Sequence, residues 1–309
     1  MKIIFMGTPE FAVPCLDRLI NMDLDIVGVF TQPDKPKGRG YQLAPTPVKE
    51  KALQHNLEVF QPNSLKNDEI VAKIQELNPD IIIVVAYGKI LPKSVLDIPR
   101  LGCVNVHASL LPKYRGAGPI QWSVINGEAQ TGVTTMYMAE GLDTGDMILK
   151  RVTDISQDET AGELHDRLSV LGADCLEQTM QLFIEGKDIP REQQDDSLSC
   201  YAPMLDKTLC KLDFTKTAKE LHNLVRGLSP WPVAVTTLDN KVLKIHKSAL
   251  TEMKAESAGK VEIKDGSLFV HCADFLLEIL QVQLEGKKSM SAKDFMMGHK
   301  ISADTILGN

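Results

Sequence analysis

The hydrophobic positions of this chain change their rhythm twice. In the first half, short continuous apolar runs stand at Ile3–Met6, Ile26–Phe30, Ile81–Ala86 and Val104–Val106. Runs this densely apolar leave no wet face and predict strands buried on both sides of a sheet. Between them, Phe11–Ile20, Val48–Gln54 and Ile70–Leu77 repeat their apolar residues at helical spacing. Strands alternating with helices predict an α/β fold with a doubly wound, mostly parallel, Rossmann-like sheet. Its ligand crevice would lie beyond the C-terminal ends of the strands. Thr131–Tyr137 and Met147–Val152 read as two further strands, and Ala161–Ile184 as a long helix. Thr160, with Glu163 three residues on, has the spacing of a capping box for that helix.

Glu185–Pro203, EGKDIPREQQDDSLSCYAP, then interrupts the pattern with the composition of an exposed linker. Beyond it a helix is expected near Ala218–Val225, followed by a GLSPWP turn. Alternating runs follow at Val233–Leu238, Val242–His246, Gly259–Ile263, Ser267–His271 and Leu276–Val282. They predict a small antiparallel β-barrel, OB-like, although strand count alone does not separate a barrel from a sandwich. The expected division is a catalytic domain over residues 1–189, a linker over 190–205 and a C-terminal β-barrel over 206–309.

Composition narrows the function classes. The 309 residues, 43% hydrophobic and 24% charged, suit two globular domains. The longest apolar run, Ile81–Tyr87, is far too short to span a bilayer, so no membrane partner is expected. The six cysteines are scattered, with no CxxC and no histidine at ligand spacing. No metal and no disulfide framework are expected, and a cytoplasmic location is. From Asp206 onward 15 basic residues face 13 acidic ones, leaving 19 against 28 before it and a net charge of -7 overall. The imbalance reads either as variation between two solvated surfaces or as a C-terminal domain that meets a polyanion. The first turn, GTPEFAVP, has one glycine where a dinucleotide fingerprint needs three, which disfavours a nicotinamide enzyme.

Candidate chemistry gathers in NVHASLLPKYRG, residues 105–116. Residues two apart on a strand share a face, so Asn105 and His107 project together, with Cys103 behind them. An amide and an imidazolium side by side can converge on one oxygen, as stabilising a tetrahedral oxyanion requires. Alternatively the pair ties a strand end to a loop. Downstream, MAEGLDTGDM carries Asp143 between Gly141 and Gly145. This aspartate either caps its own turn or reaches His107, where a carboxylate would favour the protonated ring and orient a proton transfer. No GxSxG turn, paired lysine or metal cluster supplies a nucleophile, so the nucleophile would arrive with a substrate. An attacking amine fits.

NVHASLLPKYRGAGPIQW followed by GLDTGDM resembles the signature of the folate-dependent formyltransferases. The resemblance implies that Asn105, His107 and Asp143 are the catalytic trio, with 10-formyltetrahydrofolate as co-substrate and an amine as acceptor. It also implies folate contacts in AYGKILP, at Tyr87, Gly88 and Ile90, and in SLLP, at Ser109, Leu110, Leu111 and Pro112. An aromatic, a glycine and a proline after a strand are equally ordinary loop punctuation. The C-terminal extension makes the chain look, end to end, like the branch that formylates methionyl-initiator-tRNA in translation initiation. The transfer is expected to run by direct amine attack through an oxyanion intermediate. Thr31–Thr46, TQPDKPKGRGYQLAPT, adds Lys35, Lys37 and Arg39 for phosphates and Tyr41 as a stacking face. The corresponding loop in that branch engages the tRNA acceptor end, and Arg39 is the position expected to matter most; a plain solvated loop is the other reading. A monomer is expected. A sugar-nucleotide N-formyltransferase, a formyl-folate hydrolase and a non-catalytic RNA-binding protein are the competing readings.

Overall fold

The computed structural model describes residues 1–37, 42–302 and 305–308. A seven-stranded sheet runs in the order Met147–Asp154, Gln130–Tyr137, Cys103–His107, Ile81–Val85, Lys2–Gly7, Asp25–Phe30, Val59–Phe60. From Cys103–His107 through to Val59–Phe60 every neighbouring pair is parallel. The Ile81–Val85 strand is buried along its whole length, as its unbroken aliphatic sequence demands. Gly7, the single glycine of the first turn, has a packing role: a Cβ there would sit 2.9 Å from the Ala12 Cβ and 3.1 Å from the Val85 carbonyl.

The strand that carries Asn105 and His107 is where the sheet changes direction. It is parallel to Ile81–Val85 on one side and antiparallel to Gln130–Tyr137 on the other. The helix Ala161–Ile184, begun by Thr160 and Glu163 in a reciprocal capping box, lies against both strands. Its Gly172 has no side chain, and a Cβ there would be 3.2 Å from Val106 and 3.7 Å from Val133. A buried Thr135–Thr179 hydroxyl pair, 2.8 Å apart, fixes the same contact.

The later part of the chain forms a six-stranded antiparallel sheet. Its path is Ala234–Leu238, Lys241–Lys254, Phe275–Leu284, Ser267–His271, Val261–Lys264, with Met290–Ser291 added beside Phe275–Leu284. The Lys241–Lys254 strand is far longer than the Val242–His246 run that alternation marks. Register shifts at Ile245/Lys247, Lys247/Ser248 and Leu250/Lys254 break the two-residue rhythm on which that reading depends. Helices Ala218–Gly227 and Ala292–Gly298 contribute Leu221, Val225 and Phe295 to one core with Ile245, Val270, Leu277 and Val282.

By packing, the chain divides into two compact units. One comprises Met1–Gly116, Thr131–Thr153 and His165–Tyr201, and the other Ala117–Gln130, Asp154–Leu164 and Ala202–Asn309. Within the second unit, buried Arg226 donates to the carbonyls of Ser156, Glu159 and Val124 at 3.1–3.5 Å. Beside it the His222 ring lies 3.0 Å from the Ser248 hydroxyl and 3.1 Å from the Gln157 carbonyl. No helix among the described residues is long and apolar enough to cross a membrane.

Candidate active site

Strand geometry sets the first two groups. Asn105 and His107 lie two residues apart on the Cys103–His107 strand, so they share a face at its C-terminal end. Asn105 is half-buried, and its amide has no hydrogen-bond partner among the described residues. His107 is buried, with Nε2 2.9 Å from the Tyr114 carbonyl. A carbonyl only accepts, so Nε2 carries a hydrogen and the ring is held edge-on by the main chain. The other nitrogen, Nδ1, faces Asp143 Oδ2 at 3.7 Å. At that distance the carboxylate attracts a cationic ring but forms no hydrogen bond with it. A proton on Nδ1 therefore stays available to a bound atom.

Asp143 reaches this position by an indirect route. Tyr137 pairs with Val104 and Thr134 with His107, so the loop after Tyr137 leaves from the Cys103 side of the strand. The loop must fold back along the strand before its carboxylate can meet the ring. Asp143 adopts φ 51°, a conformation aspartate tolerates better than most residues. Its Oδ2 accepts from the Gly116 amide at 2.8 Å. Gly145 could not carry a side chain, since a Cβ would fall 1.8 Å from the Tyr137 carbonyl.

The stretches expected at the folate divide in two. Ser109 is buried and donates to the Lys113 carbonyl at 2.6 Å, while Thr134 ties down the Ser109 carbonyl at 2.7 Å and the Leu111 amide at 3.2 Å. Leu111 packs with Met136 and Met147, Leu110 is half-buried, and Pro112 follows a cis bond. In the other stretch Gly88 has φ 80° and Ile90 is 80% exposed, so both line open surface. The Tyr87 ring is 1% exposed and packs among Ile4, Met6 and Phe30, and burial pushes its hydroxyl up to about 12. Tyr87 is thus a core residue at the loop base, its carbonyl taking donors from Thr8 and Gln32. Burial likewise pushes the Cys103 thiol up to about 12, far from a thiolate nucleophile.

Of the basic loop, Gly38, Arg39, Gly40 and Tyr41 lie outside the described residues, as does the Lys37 side chain. Lys35–Lys37 pairs antiparallel with Gln42–Ala44, and a buried Thr31–Thr46 hydroxyl contact of 2.7 Å closes the base. Asp34, held below the usual carboxylate range by Lys49 and Gln61, anchors the same base.

Sequence reasoning missed the backbone partners Tyr114 and Gly116, which carry no residue-type signal. It also missed Gln194, whose buried amide touches the Asp143 loop from a stretch with linker composition. Among the described residues no three His, Cys, Asp or Glu side chains gather as a metal site.

Comparison with known proteins identifies the family of the chain. Residues 1–180 match the formyl transferase family, and residues 204–300 match the formyl transferase C-terminal domain. The chain is 54% identical to the methionyl-tRNA formyltransferase of Alkaliphilus oremlandii and 50% identical to that of Clostridioides difficile, over 100% of each chain. An N-formyltransferase from Helicobacter canadensis, solved with folinic acid and dTDP-3-aminofucose, aligns with a TM-score of 0.70 at 21% identity. That alignment covers 90% of this chain and 98% of the other, a likeness of fold. With both halves matched in order, this chain belongs to the formyl transferase family.

Proposed function

We propose that this protein transfers a formyl group from 10-formyltetrahydrofolate to the α-amine of methionyl-initiator-tRNA. The observation that carries the proposal is the meeting of Asn105, His107 and Asp143, with 3.7 Å between His107 Nδ1 and Asp143 Oδ2 although 36 residues of chain separate them. The relatives that share half of its residues from end to end support the acceptor.

The folate supplies the formyl carbon when bound. The site fits such a ligand: the tied-down turn at Ser109–Pro112 and the exposed Ile90 offer main-chain and apolar contacts beside two polar donors. Leu110, Pro112, Gly88 and Ile90 would hold it, on a base set by the buried Ser109 and Leu111. The Asn105 amide and the His107 Nδ1 hydrogen stabilise the negative charge that grows on the formyl oxygen as the amine attacks. Asp143 balances the charge on His107 from the Nδ1 side; as the bond from the formyl carbon to the folate nitrogen breaks, the proton given up by the attacking amine passes, with the help of that carboxylate, to the departing folate nitrogen. Lys35, Lys37, Arg39 and Tyr41 engage the acceptor end of the tRNA. The same proposal has the protein work as a monomer in the cytoplasm.

One assay tests it against its competitors. The protein is incubated with 10-formyltetrahydrofolate and methionyl-tRNA, an amino-sugar nucleotide, or buffer. Formyl-methionyl-tRNA is the expected product. A formylated sugar, or release of formate in buffer at the same rate, would replace this reading with one of the others.

A further inference from the structure

Within that reading of formyl transfer, we infer that Gln194 is a positioning residue that holds Asp143 against His107. The Asp143 loop leaves from the far side of its strand, folds back, and sets Asp143 at φ 51°; such a turn keeps its shape only when its surroundings hold it. Gln194 supplies the hold. Its Nε2 donates to the carbonyls of Asp143 and Gly145, both at 2.8 Å, on either side of Thr144. Its Oε1 accepts from Arg115 Nε at 3.0 Å, and Arg115 Nη2 donates to Asp196 at 2.7 Å. Two carbonyl acceptors on one side and a guanidinium donor on the other leave the amide one orientation.

The three consecutive residues Tyr114, Arg115 and Gly116 connect this clamp to the whole site. Tyr114 accepts from His107, Arg115 donates to Gln194, and Gly116 donates to the Asp143 carboxylate. Gln194 therefore completes a closed set of contacts through both titratable groups while touching neither side chain. It lies between the two stretches matched to the family, residues 1–180 and 204–300.

The test uses the full-length protein in steady-state formylation of methionyl-tRNA. Gln194→Glu is isosteric and keeps an acceptor for Arg115, but sets a carboxylate oxygen against two carbonyl oxygens. Gln194→Ala removes the clamp. Both are expected to lower kcat by about 10- to 100-fold, the cost of a misplaced group, with KM for methionyl-tRNA changed by no more than about twofold. In an Asp143→Asn background Gln194→Ala should have no further effect, because its influence passes through Asp143. Wild-type kcat in both single variants, or an undiminished effect of Gln194→Ala in the Asp143→Asn background, would overturn the role. A wild-type protein that formylates no methionyl-tRNA would instead overturn the reading on which the role rests.

Discussion

At the scale of single residues, the site is a division of labour between side chains and main chain. Asn105 and His107 were legible because an amide and an imidazole two apart interrupt a strand that packing alone would fill with aliphatics. Their partners were not, since the Tyr114 carbonyl and the Gly116 amide are groups every residue has. Tyr87 shows the reverse: its sequence position marks a ligand loop, but a fully apolar neighbourhood takes up the ring. Asp143→Asn can still accept from the Gly116 amide, so its fold should survive. Its kcat is expected to fall by about 100-fold or more, the usual worth of a proton-transfer partner. Steady-state kinetics alongside a thermal melt would check this, and an unchanged kcat would remove the carboxylate from the chemistry.

At the scale of elements, the helix Ala218–Gly227 shows how polar groups fasten a loop. The helix itself was legible near Ala218–Val225, and the structure begins it with Thr217 and Glu220 in a full capping box. Its attachment was not, because Arg226 and His222 bond to backbone carbonyls of residues 156, 157 and 159, far away along the chain. Burial lowers the pKa of the Arg226 guanidinium, opposed by nearby Asp158 and Glu159, and its hydrogen bonds to three carbonyls give the buried cation partners. Arg226→Met should therefore destabilise the protein by about 3 kcal/mol, within the range for buried hydrogen bonds to a charged group, as read from urea unfolding. Burial, assisted by nearby Arg226 and opposed by the Gln157 carbonyl and Asp158, lowers the pKa of His222. A histidine held below its ordinary value near 6.5 takes up its proton more readily when unfolded. Its contribution to stability is thus present above that value and lost as pH falls through the folded one. Melting temperatures of wild type and His222→Gln should converge on acidification below about pH 6.5; a gap that widened would contradict the sign.

At the scale of the whole molecule, alternation of apolar runs revealed both sheets, since burial on two faces or one leaves a pattern that survives without coordinates. It failed where bulges interrupt the pairing of Lys241–Lys254 and where folding back brings Asp143 to its place. An acidic chain of net charge -7 handling RNA must rely on local charge, and Arg39 lies with Lys35 and Lys37 in the sequence stretch Thr31–Thr46. Arg39→Ala is expected to raise KM for methionyl-tRNA while leaving kcat within about twofold, and to flatten the salt dependence of kcat/KM by roughly one contact. The formyl-transfer centre itself is tested most directly by Asn105→Ala at saturating 10-formyltetrahydrofolate and methionyl-tRNA. The rate of the chemical step is predicted to fall about 100-fold, as for removal of one oxyanion donor, with KM for the tRNA unchanged. A rate equal to wild type would contradict the assignment of this strand end as the catalytic centre.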